Sequence, residues 1–331
     1  MKTVVLAVFF IVSSCGQNAL YHTISGLTFG TIQYNVTYQG KKNIDLQRQI
    51  DSVLSAVNES MSTYVPHSTI SLLNKADKKA WVDDLFKRVF TKSKEVYALS
   101  NGAFDPTIGP LMKLWGFRET DVSKVDSQQV DSILAFVGMD KLTLKGDTVY
   151  KSNSNVHLDF GAIAKGFGVD LVAEYLTLNG YQNFLVEIGG EARGQGVNKR
   201  GQAWVLEILT PDTSTKSANG FALADLNNKS IATSGNYKQY KVVDGLLRVH
   251  TINPKTGYGS IHNLLSTSIV ATDCITADAL STACMVMGLE PSTKWLQQIK
   301  GVDYFLIYQQ ADGKLNFKQN PEGKDYLRIG L

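Results

Sequence analysis

Hydrophobic positions recur along this chain at two periods, and the changes between them mark out its elements. Loose alternation predicts a strand over 28–38. Leu46, Ile50, Val53, Leu54, Val57 and Met61 then follow the 3.6-residue repeat of an amphipathic helix, and a loop over 62–74 comes next. Leu85, Val89, Val96 and Tyr97 give the buried stripe of a second helix, starting near Asp83 and Asp84 and stopping at Gly102. A turn-rich stretch over 102–110 leads to 111–117, which carries Trp115 toward the core, and to a short helix around 130–137. Residues 142–150 read as a hairpin turning at 145–147, and a strand over 155–159 feeds a helix over 162–178. Further strands are expected at 184–188, 203–209, 221–226, 247–252, 267–271, 304–308 and 314–317. A small-residue turn is expected at 232–235, a helix over 275–288, and a last helix holding Trp295.

The strands come in adjacent runs between helices, without strict strand–helix alternation. That order implies an α+β fold with a mostly antiparallel sheet core and flanking helices. No repeat, low-complexity tract or linker divides residues 27–331, which read as one domain with room for two lobes.

Composition changes this picture mainly at the N-terminus. The 331 residues are 44% hydrophobic and 19% charged, with a net charge of +3, so the chain is ordinary globular material. No basic run interleaved with aromatics appears, and nucleic acid is not an expected partner. Lys2 followed by an apolar run over 4–12 fits an export signal, and the run is shorter than the roughly 20 residues of a spanning helix. Val12-Ser13-Ser14-Cys15 resembles a bacterial lipobox. On that reading 1–14 is a lipoprotein signal peptide, Cys15 is lipidated, 15–26 is a tether, and acyl chains hold the chain to the membrane. A plain cleaved signal with an incidental cysteine is the alternative. Cys274 and Cys284 are expected to be buried, unpaired thiols, and no zinc-type spacing occurs.

Two segments carry the candidate chemistry. Asp159-Phe160-Gly161-Ala162-Ile163-Ala164-Lys165-Gly166 places an acid, a small-residue turn and a lysine at the start of a helix. It is either a tight strand-to-helix turn or a cradle for an anion at a helix N-terminus. Asp-Phe-Gly also occurs in protein kinases, but the other kinase motifs are absent. Downstream, Asp278 and Thr282 lie four apart on one helical face. A carboxylate and a hydroxyl suit Mg²⁺, though a solvated face or a threonine bonded to its own turn gives the same spacing. Gly189-Gly190-Glu191 lacks the spacing of a dinucleotide fingerprint and reads equally as strand punctuation; no Walker loop is present. Phe29, Tyr64 and Phe104 sit in loops, where they either join the core or face a planar ligand. His250, at a strand end, is either structural or a general base, and His157 reads as structural.

These residues form an ordered series with Phe29-Gly30-Thr31, Ser62-Thr63-Tyr64, 102–107, Ala232-Thr233-Ser234-Gly235, 250–257 and 276–282. The series resembles the ApbE-type FAD:protein FMN transferases, flavin-trafficking lipoproteins of bacteria, over nearly the whole mature chain. The resemblance implies a T-fold-like architecture and Mg²⁺-dependent transfer of FMN from FAD to a Thr or Ser hydroxyl of an acceptor flavoprotein subunit, with release of AMP. It implies metal ligation by Ala162 (through its carbonyl), Asp278 and Thr282. It places flavin and adenine contacts on Phe29, Tyr64, Ala103, Phe104, Asp105, Asp159, Lys165 and Ile252, and catalytic roles on His250 and Asp278. The implied location is the periplasmic side of the bacterial cell envelope. An FAD pyrophosphatase releasing FMN and AMP, and a flavin carrier without turnover, are the rival functions. The chain departs from the family pattern at Phe29, where Met is usual, and at Asn253, where Asp is frequent.

Overall fold

The computed structural model describes residues 20–117, 125–211, 220–235, 240–243, 246–249, 251–320 and 327–329. The first half comprises β1 (Tyr21–Thr28), β2 (Ile32–Gln39), α1 (Leu46–Met61), α2 (Thr69–Lys75), β3 (Lys79–Trp81), α3 (Asp84–Leu99), α4 (Gly109–Leu114), α5 (Ser127–Leu134), β4 (Leu142–Lys145) and β5 (Thr148–Lys151). Next come α6 (Ala164–Leu178), β6 (Phe184–Ile188), β7 (Glu191–Gln195), β8 (Trp204–Leu209), β9 (Gly220–Leu226), β10 (Ser230–Gly235), β11 (Tyr240–Val243) and β12 (Leu246–Val249). The chain closes with β13 (Leu264–Ala271), α7 (Cys274–Met287), α8 (Leu289–Leu296), β14 (Asp303–Gln309), β15 (Leu315–Gln319) and β16 (Leu327–Ile329).

Eight strands form one open sheet in the order β1-β2-β6-β7-β10-β13-β14-β15, with every neighbour antiparallel. The fold is therefore α+β with an antiparallel core, as the strand order in the sequence implies. Alternation along β14 shows how the sheet is covered on both faces. Tyr304 and Leu306 enter a core shared with α3 and α7, while Phe305 and Ile307 point the other way, toward Trp204, Ile208, Ala222 and Leu226 of β8 and β9. Strands β8, β9 and β16 make a second small sheet, and β3, β5 and β4 a third. Another core joins α1 (Leu46, Ile50, Leu54) and α6 (Val169, Val172, Leu176) to Tyr34, Val36 and Val186 of the main sheet. Each such side chain contributes about 1.5–3 kcal/mol on burial. Both α6 and α7 are buried nearly all round, as expected of helices wrapped by other elements.

Several expectations need correction. Residues 21–26, read as tether, belong to β1, an edge strand whose polar His22, Thr23 and Ser25 mask its pairing with β2. Part of the expected 62–74 loop is α2, which is too short to show a period; the Ser68 hydroxyl caps it by accepting from Ser71 N–H at 3.2 Å. Residues 232–235 are strand, not turn: their small side chains let α7 lie close, with Ser234 Oγ 2.7 Å from Ser281 Oγ. Residues 155–159 form no strand. There the Asn74 amide fastens the chain by accepting from Leu158 N–H and donating to Leu158 C=O, both at 2.8 Å. Trp115 is only half-buried, donating from its indole to Gly257 C=O at 2.7 Å. Cys274 and Cys284 are buried, unpaired thiols, as expected. Burial pushes the Cys284 thiol up to about 12 and raises Cys274 likewise, which favours the protonated thiol at both positions.

One buried cation fixes the support beneath the candidate site. The Lys151 ammonium, on a residue 7% exposed, donates to the carbonyls of Ser154 (2.7 Å), Ala76 (2.9 Å) and Asn74 (3.3 Å). It thereby ties β5 to the C-terminal end of α2, whose Asn74 holds Leu158 beside Asp159.

Candidate active site

The site is built where α6 and α7 begin. A helix leaves its first N–H groups unpaired and carries partial positive charge there. Helix α6 has no capping side chain at Ile163, and Asp278 of α7 fills that role: its Oδ2 accepts from Gly166 N–H at 2.9 Å. The favour is returned one turn along. Asp170 of α6 accepts from Cys274 N–H (3.0 Å) and Ile275 N–H (2.8 Å) at the start of α7, and Asp273 accepts from Thr276 N–H at 2.9 Å. Each helix thus caps the other, and two positive helix ends lie side by side. Asp170 also accepts from Arg193 of β7 at 2.9 Å, which ties the junction to the sheet. Burial pushes its carboxyl upward despite these bonds.

Such a crossing requires glycine at 166. A Cβ there would lie 2.4 Å from Cys274 C=O and 2.8 Å from Asp278 Cβ, both rigidly placed atoms. Lys165, beside it, forms an ion pair with Glu191 at the start of β7. Burial works against the Lys165 charge, but Glu191 and Asp278 outweigh it and keep the ammonium protonated. Glu191 is 2% exposed; burial pushes its carboxyl up, with Lys165 pulling it back, and its Oε2 has no partner among the described residues.

The expected metal ligands bracket this junction. Asp278 is buried against Gly166, and Thr282, one turn on, has its Oγ1 3.4 Å from Ser234 Oγ. Ala162 lies in the turn leading into α6. These groups supply only carboxylate, hydroxyl and carbonyl oxygens. Oxygen donors of this kind suit a hard dication by their chemistry; among the described residues no cluster of three or more His, Cys, Asp or Glu gathers. The orphaned Glu191 oxygen adds negative potential near Asp278.

The remaining expected residues lie in several separate places. Asp159 N–H donates to Pro106 C=O at 2.7 Å, which joins its turn to the 103–107 loop, and the Asp159 carboxylate accepts from Gly161 N–H at 2.8 Å. Phe29 adopts a left-handed backbone (φ 48°) in the β1–β2 turn, with its ring lying against Gly168 of α6. Tyr64 stands out from the surface at 70% exposure. Ala103 and Phe104 are buried, and the Phe104 ring belongs to the core instead of facing a cleft. Ile252 is buried as well, in a satellite cluster with Leu111 and Val130. Asn253 accepts from Lys255 N–H at 2.9 Å, a local turn bond that an aspartate could make equally well. His250 and Cys15 lie outside the described residues.

Asp105 opens onto a cleft of about 310 Å³ that is also lined by Tyr97, Gly138, Pro254 and Lys255. It accepts from the N–H (2.8 Å) and hydroxyl (2.6 Å) of Thr107. Burial raises its carboxyl to about 6, with Asp140 adding to the effect against those two bonds. A folded-state value above the unfolded one means that the folded protein binds the proton more tightly. The stabilisation is complete below about pH 4 and is lost as pH rises through 6. Relative to Asp105→Asn, which keeps the bond from Thr107 N–H and cannot ionise, the wild type should lose about 3 kcal/mol at most between pH 4 and pH 8. Denaturant unfolding of both proteins at a series of pH values checks this; parallel curves would refute it.

Four contributors escaped the sequence reading: Gly166 as a crossing point, Asp170, Glu191 as the lysine's partner, and the Ser234–Ser281 pair. Asp170 was the most accessible of them, since an acid inside an otherwise apolar helix needs a buried partner. The others depend on pairings between distant segments.

Scaffold and site together define an α+β protein built around the paired N-terminal ends of two mutually capped helices. The chain belongs to the ApbE family, which it matches over residues 29–306. It is 36% identical over 319 residues to the FAD:protein FMN transferase of Vibrio cholerae, covering 94% of each chain. The solved structures it resembles include the flavin transferase ApbE from Vibrio cholerae, at 32% identity and a TM-score of 0.83, covering 93% of this chain and 99% of that one. The apo form of Pseudomonas stutzeri flavinyl transferase ApbE aligns with a TM-score of 0.85 at 27% identity, covering 95% and 98%.

Proposed function

We propose that the chain is an FAD:protein FMN transferase that moves FMN from FAD to a Thr or Ser hydroxyl of an acceptor protein. The observation that carries this reading is the mutual capping of α6 and α7, which brings Lys165 and two helix ends together, an arrangement whose chemistry suits a pyrophosphate. Relatives matched over almost their full length bear that activity in their names.

In the reaction the acceptor hydroxyl oxygen forms a bond to the phosphorus on the FMN side. The bond from that phosphorus to the bridging oxygen breaks, and AMP leaves with the electron pair. His250 is the proposed base for the hydroxyl proton. Lys165 and the α6 N–H groups orient the phosphates, and the Asp105 cleft takes the adenine end. Positioning and charge stabilisation supply most of the acceleration in such a step. Ala162, Asp278 and Thr282 would hold Mg²⁺, which neutralises charge on the phosphates when bound. Cys15 is the proposed lipid anchor, on the lipobox-like Val12-Ser13-Ser14-Cys15, and the periplasmic face of a bacterial membrane is the proposed location. No described helix is long and apolar enough to cross a membrane.

The test mixes the protein with FAD and Mg²⁺, with and without an acceptor carrying a Thr/Ser flavinylation site. A fluorescent acceptor band on a denaturing gel together with one equivalent of AMP is expected. AMP without a band would make the chain a pyrophosphatase, and neither product would make it a carrier.

A further inference from the structure

Glu191 is a junction acid that caps no helix and has been given no metal or substrate contact above. It is buried, one of its oxygens pairs with the Lys165 ammonium, and the other has no partner. A buried carboxylate with an unused oxygen is costly to keep, so its retention calls for a reason. Its position is fixed by a two-residue hairpin, Gly189–Gly190, between β6 and β7. Both glycines have left-handed backbones (φ 61° and 106°), and Gly190 N–H donates to Glu187 Oε1 at 2.8 Å. A Cβ on Gly189 would strike Ile32 at 2.6 Å and would lie 3.8 Å from Lys165 Cδ, so the turn, the lysine stem and the acid are packed as a unit.

The charges then decide what the junction can bind. Lys165 brings one positive charge, while Glu191 and Asp278 bring two negative ones. In the free protein the carboxylate of Glu191 occupies the ammonium that a phosphate would use. Without a cation the cluster is net negative and repels a pyrophosphate; a dication reverses the sign.

We propose that Glu191 is a built-in competitor anion for Lys165, which makes binding of the dinucleotide depend on a divalent cation. The proposal deepens the function proposed above and rests on it. It predicts a gain from removing the acid, which a purely structural counter-ion would not give.

The experiment is equilibrium FAD binding, read by flavin fluorescence at about pH 8, in EDTA and in Mg²⁺, for wild type, Glu191→Gln and Glu191→Asp. Glu191→Gln should bind FAD about tenfold more tightly than wild type in EDTA, and its enhancement by Mg²⁺ should shrink by the same factor. Glu191→Asp, with a shorter reach to Lys165, should show a smaller gain. In a Lys165→Met background Glu191→Gln should gain much less, because no ammonium is left to free. A folded Glu191→Gln with unchanged or weaker affinity in EDTA overturns the proposal. Should that variant not fold, Glu191→Asp decides, and affinity at or below wild type overturns it. If wild type fails to bind FAD even with Mg²⁺, the proposed function itself falls, and this inference with it.

Discussion

Gly166→Ala is expected to slow transfer steeply and to lower stability together. The added methyl meets Cys274 C=O and Asp278 Cβ well inside contact distance, and neither can swing aside. Helices α6 and α7 must separate. Overpacking of this kind costs about 1–3 kcal/mol, and loss of the Gly166–Asp278 bond adds about 1 kcal/mol. The larger effect is on transfer. A shift of about 1 Å between Lys165 on one helix and the proposed metal ligands on the other should slow it roughly a hundredfold or more. Thermal melting alongside the acceptor assay checks both parts. A variant with wild-type melting temperature and rate would mean that the helices do not cross as closely as described.

Asp278→Asn should separate chemistry from fold. The amide oxygen can still accept from Gly166 N–H, so the cap survives and melting should move little. The charge that would hold a dication beside the phosphates is gone. A loss of about 4 kcal/mol of charge stabilisation corresponds to roughly a thousandfold in rate. Asp278→Ala should match that loss in rate and also be less stable, since it strands a buried N–H. Transfer rates within tenfold of wild type for Asp278→Asn would remove Asp278 from the catalytic centre.

The sequence was most legible where one local rule sufficed. The stripe from Leu46 to Met61, the Asp83 cap and the hairpin at 142–150 each follow from neighbours in the chain, and each is in place. Where a distant segment decides the conformation, local rules misled. Ser234 sits in a small-residue stretch that reads as a turn, and only pairing with the distant β13 makes it strand. Residues 155–159 alternate like a strand but are held by Asn74 rather than by a sheet. The candidate site divides in the same way. Asp278 and Thr282 could be paired by helical spacing alone. The partnership of Lys165 with Glu191, and that of Asp170 with the first turn of α7, depend on how β7, α6 and α7 are stacked, which no spacing in the chain encodes.

The ammonium of Lys151 bears on how the metal question is studied. It does for the ground beneath Asp159 what a bound potassium or calcium ion does in many loops, gathering main-chain oxygens around a positive charge. Because this cation is covalently part of the chain, no chelating agent can strip it out. Exhaustive dialysis against EDTA should therefore silence the chemistry while leaving the platform standing, so activity restored on adding magnesium back would report on the reaction centre rather than on refolding.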